Sequence, residues 1–198
     1  MPSGACLPGV HAYPLPMPRL FAAIRPSASV RDALIDTMEG VENARWQDED
    51  QLHLTLRFMG EVGAREAEDL AAALEQLQAP PFTLEITGVG HFEHKRRVHA
   101  LWAGIAPSPA LAVLQRRVER ACRSAGLPPE RRRFTPHVTL ARLNSSSGPI
   151  AGWLAQHAML HSAPFEVREF ILYESLMGQG GSHYEPLLRF PLRGGAEG

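Results

Sequence analysis

The chain has 198 residues, 44% of them hydrophobic, and a formal net charge of −1 at pH 7, which suits one domain or two small lobes sharing a core. So balanced a charge excludes a long-duplex nucleic-acid binder working through a global field and leaves only local basic patches. Cys6 and Cys122 are the only cysteines; they make no disulfide framework or metal spacing, no stretch is long enough to span a membrane, and the chain reads as cytoplasmic.

The first eighteen residues hold five prolines and no Lys, Arg, Asp or Glu. They lack the basic region and continuous apolar run of a secretory signal, so residues 1–17 are expected to form an irregular arm, with Met17 an alternative first residue. Residues 18–192 are expected to be one bilobal domain, and 193–198 a tail. Periodic sequence begins with a strand over 19–25. Ser29 with Asp32 suggests a capping box for a helix to Glu39, with Val30, Leu34 and Met38 on its buried side. A short strand near 44–46 and an acidic turn (Asp48, Glu49, Asp50) lead into a strand from His53 that Gly60 ends.

Residues 64–78 predict a helix with Leu70, Leu74 and Leu77 on one face, stopped by Pro80-Pro81. Residues 82–92 and 98–105 read as a hairpin around a basic loop, 94–97. Ser108 and Pro109 supply an N-cap and first-turn proline for a helix with Leu111, Leu114, Val118, Cys122 and Ala125 on its apolar side, and Gly126 terminates it. A basic loop, 128–133, precedes a strand at His137; a turn at 145–148, a helix over 150–159 and strands over 165–176 and 183–192 follow. This order predicts an α+β fold of two lobes, each a small antiparallel sheet backed by helices. Cys122 is expected as a buried thiol without chemistry.

Two tetrapeptides, His53-Leu54-Thr55-Leu56 and His137-Val138-Thr139-Leu140, repeat one His-x-Thr-x pattern 84 residues apart. In an extended strand alternate side chains share a face, so His53, Thr55 and Arg57 are expected on one face and Leu52, Leu54, Leu56 and Phe58 on the other. His137 and Thr139 likewise oppose Val138 and Leu140. The duplication predicts two half-sites lining one cleft.

Two imidazoles can divide the work of general acid and general base, and two hydroxyls can donate to oxygens on which charge develops. In-line displacement at phosphorus suits such a set and needs no metal. A 2′,3′-cyclic phosphate fits: activated water attacks from one side and a ribose oxygen leaves on the other. The repeat leaves open which histidine is acid and which is base.

The contexts HLTLRFMGEV (53–62), FTPHVTLAR (134–142) and LYES…GGSHYEPLLRFPL (172–192) resemble the 2H phosphoesterase superfamily, in particular its RNA 2′,3′-cyclic phosphodiesterases, also called 2′-5′ RNA ligase-like proteins. The resemblance implies a bilobal α+β fold with two pseudo-symmetric lobes around a central cleft. It implies metal-independent opening of the cyclic ester to a 2′-phosphomonoester, without a cofactor, on RNA ends or small cyclic nucleotides. His53 would be proton donor to the departing 3′ oxygen, His137 the proton acceptor that activates water, and Thr55 and Thr139 phosphate donors. Phe58 and Arg142, five residues after each histidine, would contact nucleoside and phosphate; strict alternation puts them on the wrong face unless a bulge turns them back. A monomer acting without a membrane or metal is expected.

Other readings keep the fold and change the activity. They are another cyclic or 2′-5′ linked nucleotide as substrate, 2′-5′ ligation by the reverse reaction, and a nucleotide-binding module without turnover. The basic runs 95–97 and 131–133 are expected as solvated loop charge, and His91, His94 and His99 as surface histidines without a metal.

Overall fold

The computed structural model describes residues 17–178 and 181–194. The expected arm, Met17 excepted, and the last four residues of the expected tail lie outside the described residues. In chain order the elements are β1 (Arg19–Ile24), α1 (Ala28–Ile35), β2 (Arg45–Trp46), a 3₁₀ turn (Glu49–Gln51), β3 (Leu54–Glu61), α2 (Ala64–Glu75), β4 (Phe82–Leu84) and β5 (Ile86–His94). Then come β6 (Arg97–Ile105), α3 (Pro109–Ser124), β7 (His137–Arg142), α4 (Ala151–His157), β8 (Phe165–Val167), β9 (Glu169–Gly178) and β10 (Gly181–Pro191). The class is α+β.

Helix α3 forms as its sequence requires. The Ser108 hydroxyl accepts from the Leu111 amide at 3.2 Å, Pro109 occupies the first turn, and Gly126 follows at φ +84, the left-handed conformation that glycine adopts freely. Leu111, Leu114, Val118 and Cys122 are buried along one stripe. In the apolar surroundings of that stripe the Cys122 thiol is pushed up to about 11, which makes it inert.

Helix α1 departs from expectation. Ser27, not Ser29, stands at its N-cap, and no side chain caps it; Ser29 falls inside the first turn, so the expected capping box does not form. The helix stops at Ile35 instead of Glu39, where the chain tightens and the Thr37 hydroxyl donates to the Leu34 carbonyl at 2.7 Å. Gly60 does not end β3, which continues to Glu61 with Gly60 at φ +79.

Each of two expected strands is really two. The run over 82–92 breaks at Glu85 and the run over 165–176 at Arg168, and the short pieces β4 and β8 pair only with each other. At the first break Ser162 Oγ accepts from the Ile86 amide at 3.0 Å, so the chain changes sheets without orphaning that donor.

The main sheet is antiparallel, in the order β10-β9-β1-β3-β7-β6-β5, with β2 beside β7. The two lobes expected to carry separate sheets instead share this one, but it is almost divided at its middle. Strands β3 and β7 are joined in register by one pair, Leu54 opposite Val138. The main core includes Leu20, Leu54, Leu70, Leu101, Leu114, Val138 and Trp153. A second, small cluster of Phe21, Ala23, Ile171 and Tyr173 lies apart from it, because alternate residues of β1 are buried on opposite faces.

Strict alternation fails at matching places in both motif strands. Ala22 and Ala23 of β1 pair with Arg57 and Thr55, skipping Leu56; Leu101 and Trp102 of β6 pair with Ala141 and Thr139, skipping Leu140. Each skipped leucine is the extra residue of a β-bulge and stays buried. Arg57, expected beside His53, is thereby turned toward α3. There it is 7% exposed, with its Nε 2.7 Å from Glu119 and its Nη1 3.2 Å from Glu130, and it donates to the Pro128 carbonyl at 2.6 Å. Removing one partner of a buried ion pair strands the other. Arg57→Ala is expected to lower the unfolding free energy by about 3 kcal/mol in urea denaturation, and Glu119→Ala in that background to cost little more.

Candidate active site

The single pair that joins the halves also builds the site. Opposed residues of an antiparallel pair project to the same face, and a local two-fold axis passes between them. Leu54 and Val138, at 1% and 0% exposure, project into the core. Their neighbours His53, Thr55, His137 and Thr139 therefore project together from the opposite face. The axis exchanges the two histidines and the two threonines, setting each imidazole beside the hydroxyl of the other strand.

The imidazoles are held alike. His137 Nδ1 lies 2.6 Å from the Thr135 carbonyl oxygen; a carbonyl only accepts, so Nδ1 carries the proton and Nε2 is left for a substrate. The Gln51 carbonyl stands at the same two-residue offset from His53 and favours its protonated form. Aromatic rings fix both. The centroids of Phe21 and Tyr184 lie 4.9 and 5.0 Å from that of His53, and those of Phe92 and Trp102 lie 4.7 and 6.2 Å from that of His137. Sequence reasoning missed these four residues. Trp102 stands opposite Thr139 across the ladder, a placement that only the pairing of β6 with β7 reveals.

The bulges bring Phe58 and Arg142 round to this face, correcting strict alternation. Phe58 packs against Phe21 with ring centroids 6.5 Å apart, and the Arg19 guanidinium lies 5.5 Å from its ring. Arg142 is close enough to act on both histidines. Burial pushes His53 down to about 4 against a lesser pull upward from the Gln51 carbonyl, and the charges of His137 and Arg142 lower it further. Burial and then Arg142 also lower His137, less strongly. Both rings are thus neutral at pH 7, and Arg142, which pairs with no carboxylate among the described residues, gives this face a positive charge that an anion would satisfy.

Among the described residues no group of three or more His, Cys, Asp or Glu side chains could hold a metal ion. His91, His94 and His99 are exposed. Lys95 and Arg96 form the β5–β6 turn at φ +51 and +61, and Arg132 pairs with Glu130 at 2.8 Å. No helix of the described residues is long and apolar enough to cross a membrane.

The sequence profile of the 2′-5′ RNA ligase superfamily matches residues 24–179. This chain belongs to that family. It is 33% identical over 180 residues to an RNA 2′,3′-cyclic phosphodiesterase of Escherichia coli, covering 88% of this chain and 96% of the relative. It is also 33% identical over 155 residues to one of Geobacillus stearothermophilus, of which it spans about half the length: 49%, against 77% of this chain. The fold matches that of Escherichia coli LigT crystallised with 3′-AMP, at a TM-score of 0.71 and 29% identity, covering 88% of this chain and 98% of LigT.

The depressed His53 makes stability pH-dependent. An unfolded histidine takes its proton near 6.5 and the folded His53 only near 4, so between those values the unfolded state binds the extra proton and stability falls as pH falls. Acidification across this window is expected to cost about 3 kcal/mol from His53 alone. Denaturation midpoints of wild type and His53→Gln, followed from pH 7 to 4, check this; the variant should show the shallower decline.

Proposed function

We propose that this chain hydrolyses the 2′,3′-cyclic phosphodiester at RNA ends to a 2′-phosphomonoester, as a cytoplasmic monomer whose residues 18–192 act as one bilobal domain. The observation that carries the reading is the meeting of His53, Thr55, His137, Thr139 and Arg142 around one antiparallel residue pair. The relatives named for this activity, and a neighbour crystallised with a nucleoside phosphate, support the choice of substrate.

The phosphate lies between the imidazoles, its non-bridging oxygens receiving hydrogen bonds from Thr55 and Thr139 and the charge of Arg142. His137 Nε2 takes a proton from water as the water oxygen bonds to phosphorus. The bond from phosphorus to the 3′ oxygen breaks, and His53 gives that oxygen its proton. The product keeps phosphate on the 2′ oxygen and has a free 3′ hydroxyl; no metal or cofactor enters the balance. Phe58 walls the terminal nucleoside.

The unequal environments favour this division. The more strongly depressed imidazole is the stronger acid once protonated, and the less depressed one the better base, which suits His53 as donor and His137 as acceptor. In the free protein His53 is neutral at pH 7; the phosphate anion raises its affinity for the proton it must donate by attracting the imidazolium charge directly and by opposing Arg142.

His53→Ala and His137→Ala are each expected to lower kcat on a 2′,3′-cyclic-phosphate-ended oligonucleotide by at least about a hundredfold with unchanged circular dichroism. A chelator should leave the wild-type rate as it is. Phosphorus NMR of the product decides the ester oxygen: a 3′-phosphate would reverse the assignment, and rapid turnover by either variant would refute the mechanism. For Thr55→Val or Thr139→Val the loss should be about 100-fold, in kcat more than in KM.

A further inference from the structure

We infer that Arg45 is a second phosphate-binding residue, which holds the phosphodiester on the 5′ side of the nucleoside bearing the cyclic ester. The inference rests on the proposed hydrolysis of RNA ends and says what distinguishes an RNA end from a lone nucleotide at this cleft.

Arg45 lies directly opposite Arg142 in the β2–β7 pair, and Trp46 lies opposite Ala141. Ala141 is fully buried and Trp46 packs against the main core, so the alternate pair, Arg45 and Arg142, projects to the face that carries the histidines. Like charges directly opposed across a ladder repel. Among the described residues neither arginine has a carboxylate within ion-pair distance. Arg45 and Arg142 thus leave the same face of neighbouring strands, each without a carboxylate partner among the described residues, and offer two separate positive charges to two successive phosphates.

The Arg45 side chain reaches as far as Gly181. Its guanidinium lies against the backbone of Gly181, where a Cβ would strike Nη1. Gly181 opens β10, in the other half of the sheet, and the Gln51 amide fastens the neighbouring Ser182 carbonyl at 2.5 Å. Arg45 thus extends from β2 across to the β9–β10 hairpin, closing one end of the cleft with positive charge. The Arg45 backbone lies about 5 Å from that of Arg142 and its guanidinium reaches toward Gly181, so with Arg142 on the reacting phosphate Arg45 meets the next backbone phosphate of a single strand. A nucleoside 2′,3′-cyclic phosphate with a free 5′ hydroxyl offers Arg45 nothing.

The test compares that nucleoside with a dinucleotide ending in the same cyclic phosphate, using wild type, Arg45→Gln and Arg45→Lys. Arg45→Gln should raise KM for the dinucleotide about tenfold with kcat unchanged, and leave both constants for the nucleoside as in wild type. The slope of log(kcat/KM) against log salt for the dinucleotide should shrink by about 0.7, and Arg45→Lys should restore it. An unchanged or raised melting temperature shows that the variant is folded. Equal effects on both substrates, or none on the dinucleotide, would overturn the inference. If wild type hydrolyses neither substrate, the hydrolysis reading fails by itself. Calorimetric Kd values for the intact dinucleotide then decide Arg45: a tenfold weakening in Arg45→Gln upholds its role, and an unchanged Kd rejects it.

Discussion

The register of one residue pair governs this molecule. Leu54 and Val138 form the sole rung between β3 and β7, and they tie the two halves of the sheet at its narrowest point. A one-residue slip would carry every side chain of a strand to the opposite face. It would bury His53 or His137 in the core and put Leu54 or Val138 into the cleft. Hydrophobic burial of these two residues therefore sets the geometry of the polar ones beside them. A long β3–β7 ladder would hold the halves flush; a single rung lets them diverge on either side of the histidines.

The bulges are the second device. A strand that alternates perfectly presents every other residue, which gives a site two side chains in a row and then a third at uniform spacing. By looping out Leu56 and Leu140 the chain keeps His and Thr in step and then reverses the parity of the residues beyond. Phe58 and Arg142 join the cleft, while Arg57 and Ala141 are delivered to the core side. Arg57 is tolerated there because Glu119, Glu130 and the Pro128 carbonyl meet its charge.

Much of this was legible in the sequence, for identifiable reasons. The boundaries of α3 follow from local chemistry at Ser108, Pro109 and Gly126, and the two His-x-Thr-x strands from their own alternation. The bulges were not legible, because each is a mismatch with a partner strand, β1 or β6, distant in sequence. Nor could the break at Glu85 be seen: a strand that leaves one sheet for another keeps its composition and changes only its partners. The aromatic surroundings of the histidines come from Phe21, Phe92, Trp102 and Tyr184, on four different strands, and only the assembled sheet order brings them to two imidazoles. At α1 the error had another source, since Ser27 and Ser29 are equivalent capping candidates by composition and tertiary placement chose between them.

A site with a local two-fold axis faces a substrate that has none, and hydrolysis requires its two histidines in opposite protonation states. The symmetry is broken at the positions the bulges expose. Five residues after His53 stands a phenyl ring, and five after His137 a guanidinium. In the proposed complex Arg142 would draw the phosphate and Phe58 the nucleoside, so the substrate would enter in one orientation, with one ester oxygen directed to each imidazole. Arg142 acts electrostatically on both rings, yet burial weighs more on His53. The pair of side chains proposed to orient the substrate therefore sits beside two imidazoles of unequal basicity. Exchanging Phe58 and Arg142 would turn the substrate round without altering the burial that separates the two imidazoles, so the inequivalence is a property of the residues around the motifs and not of the motifs themselves.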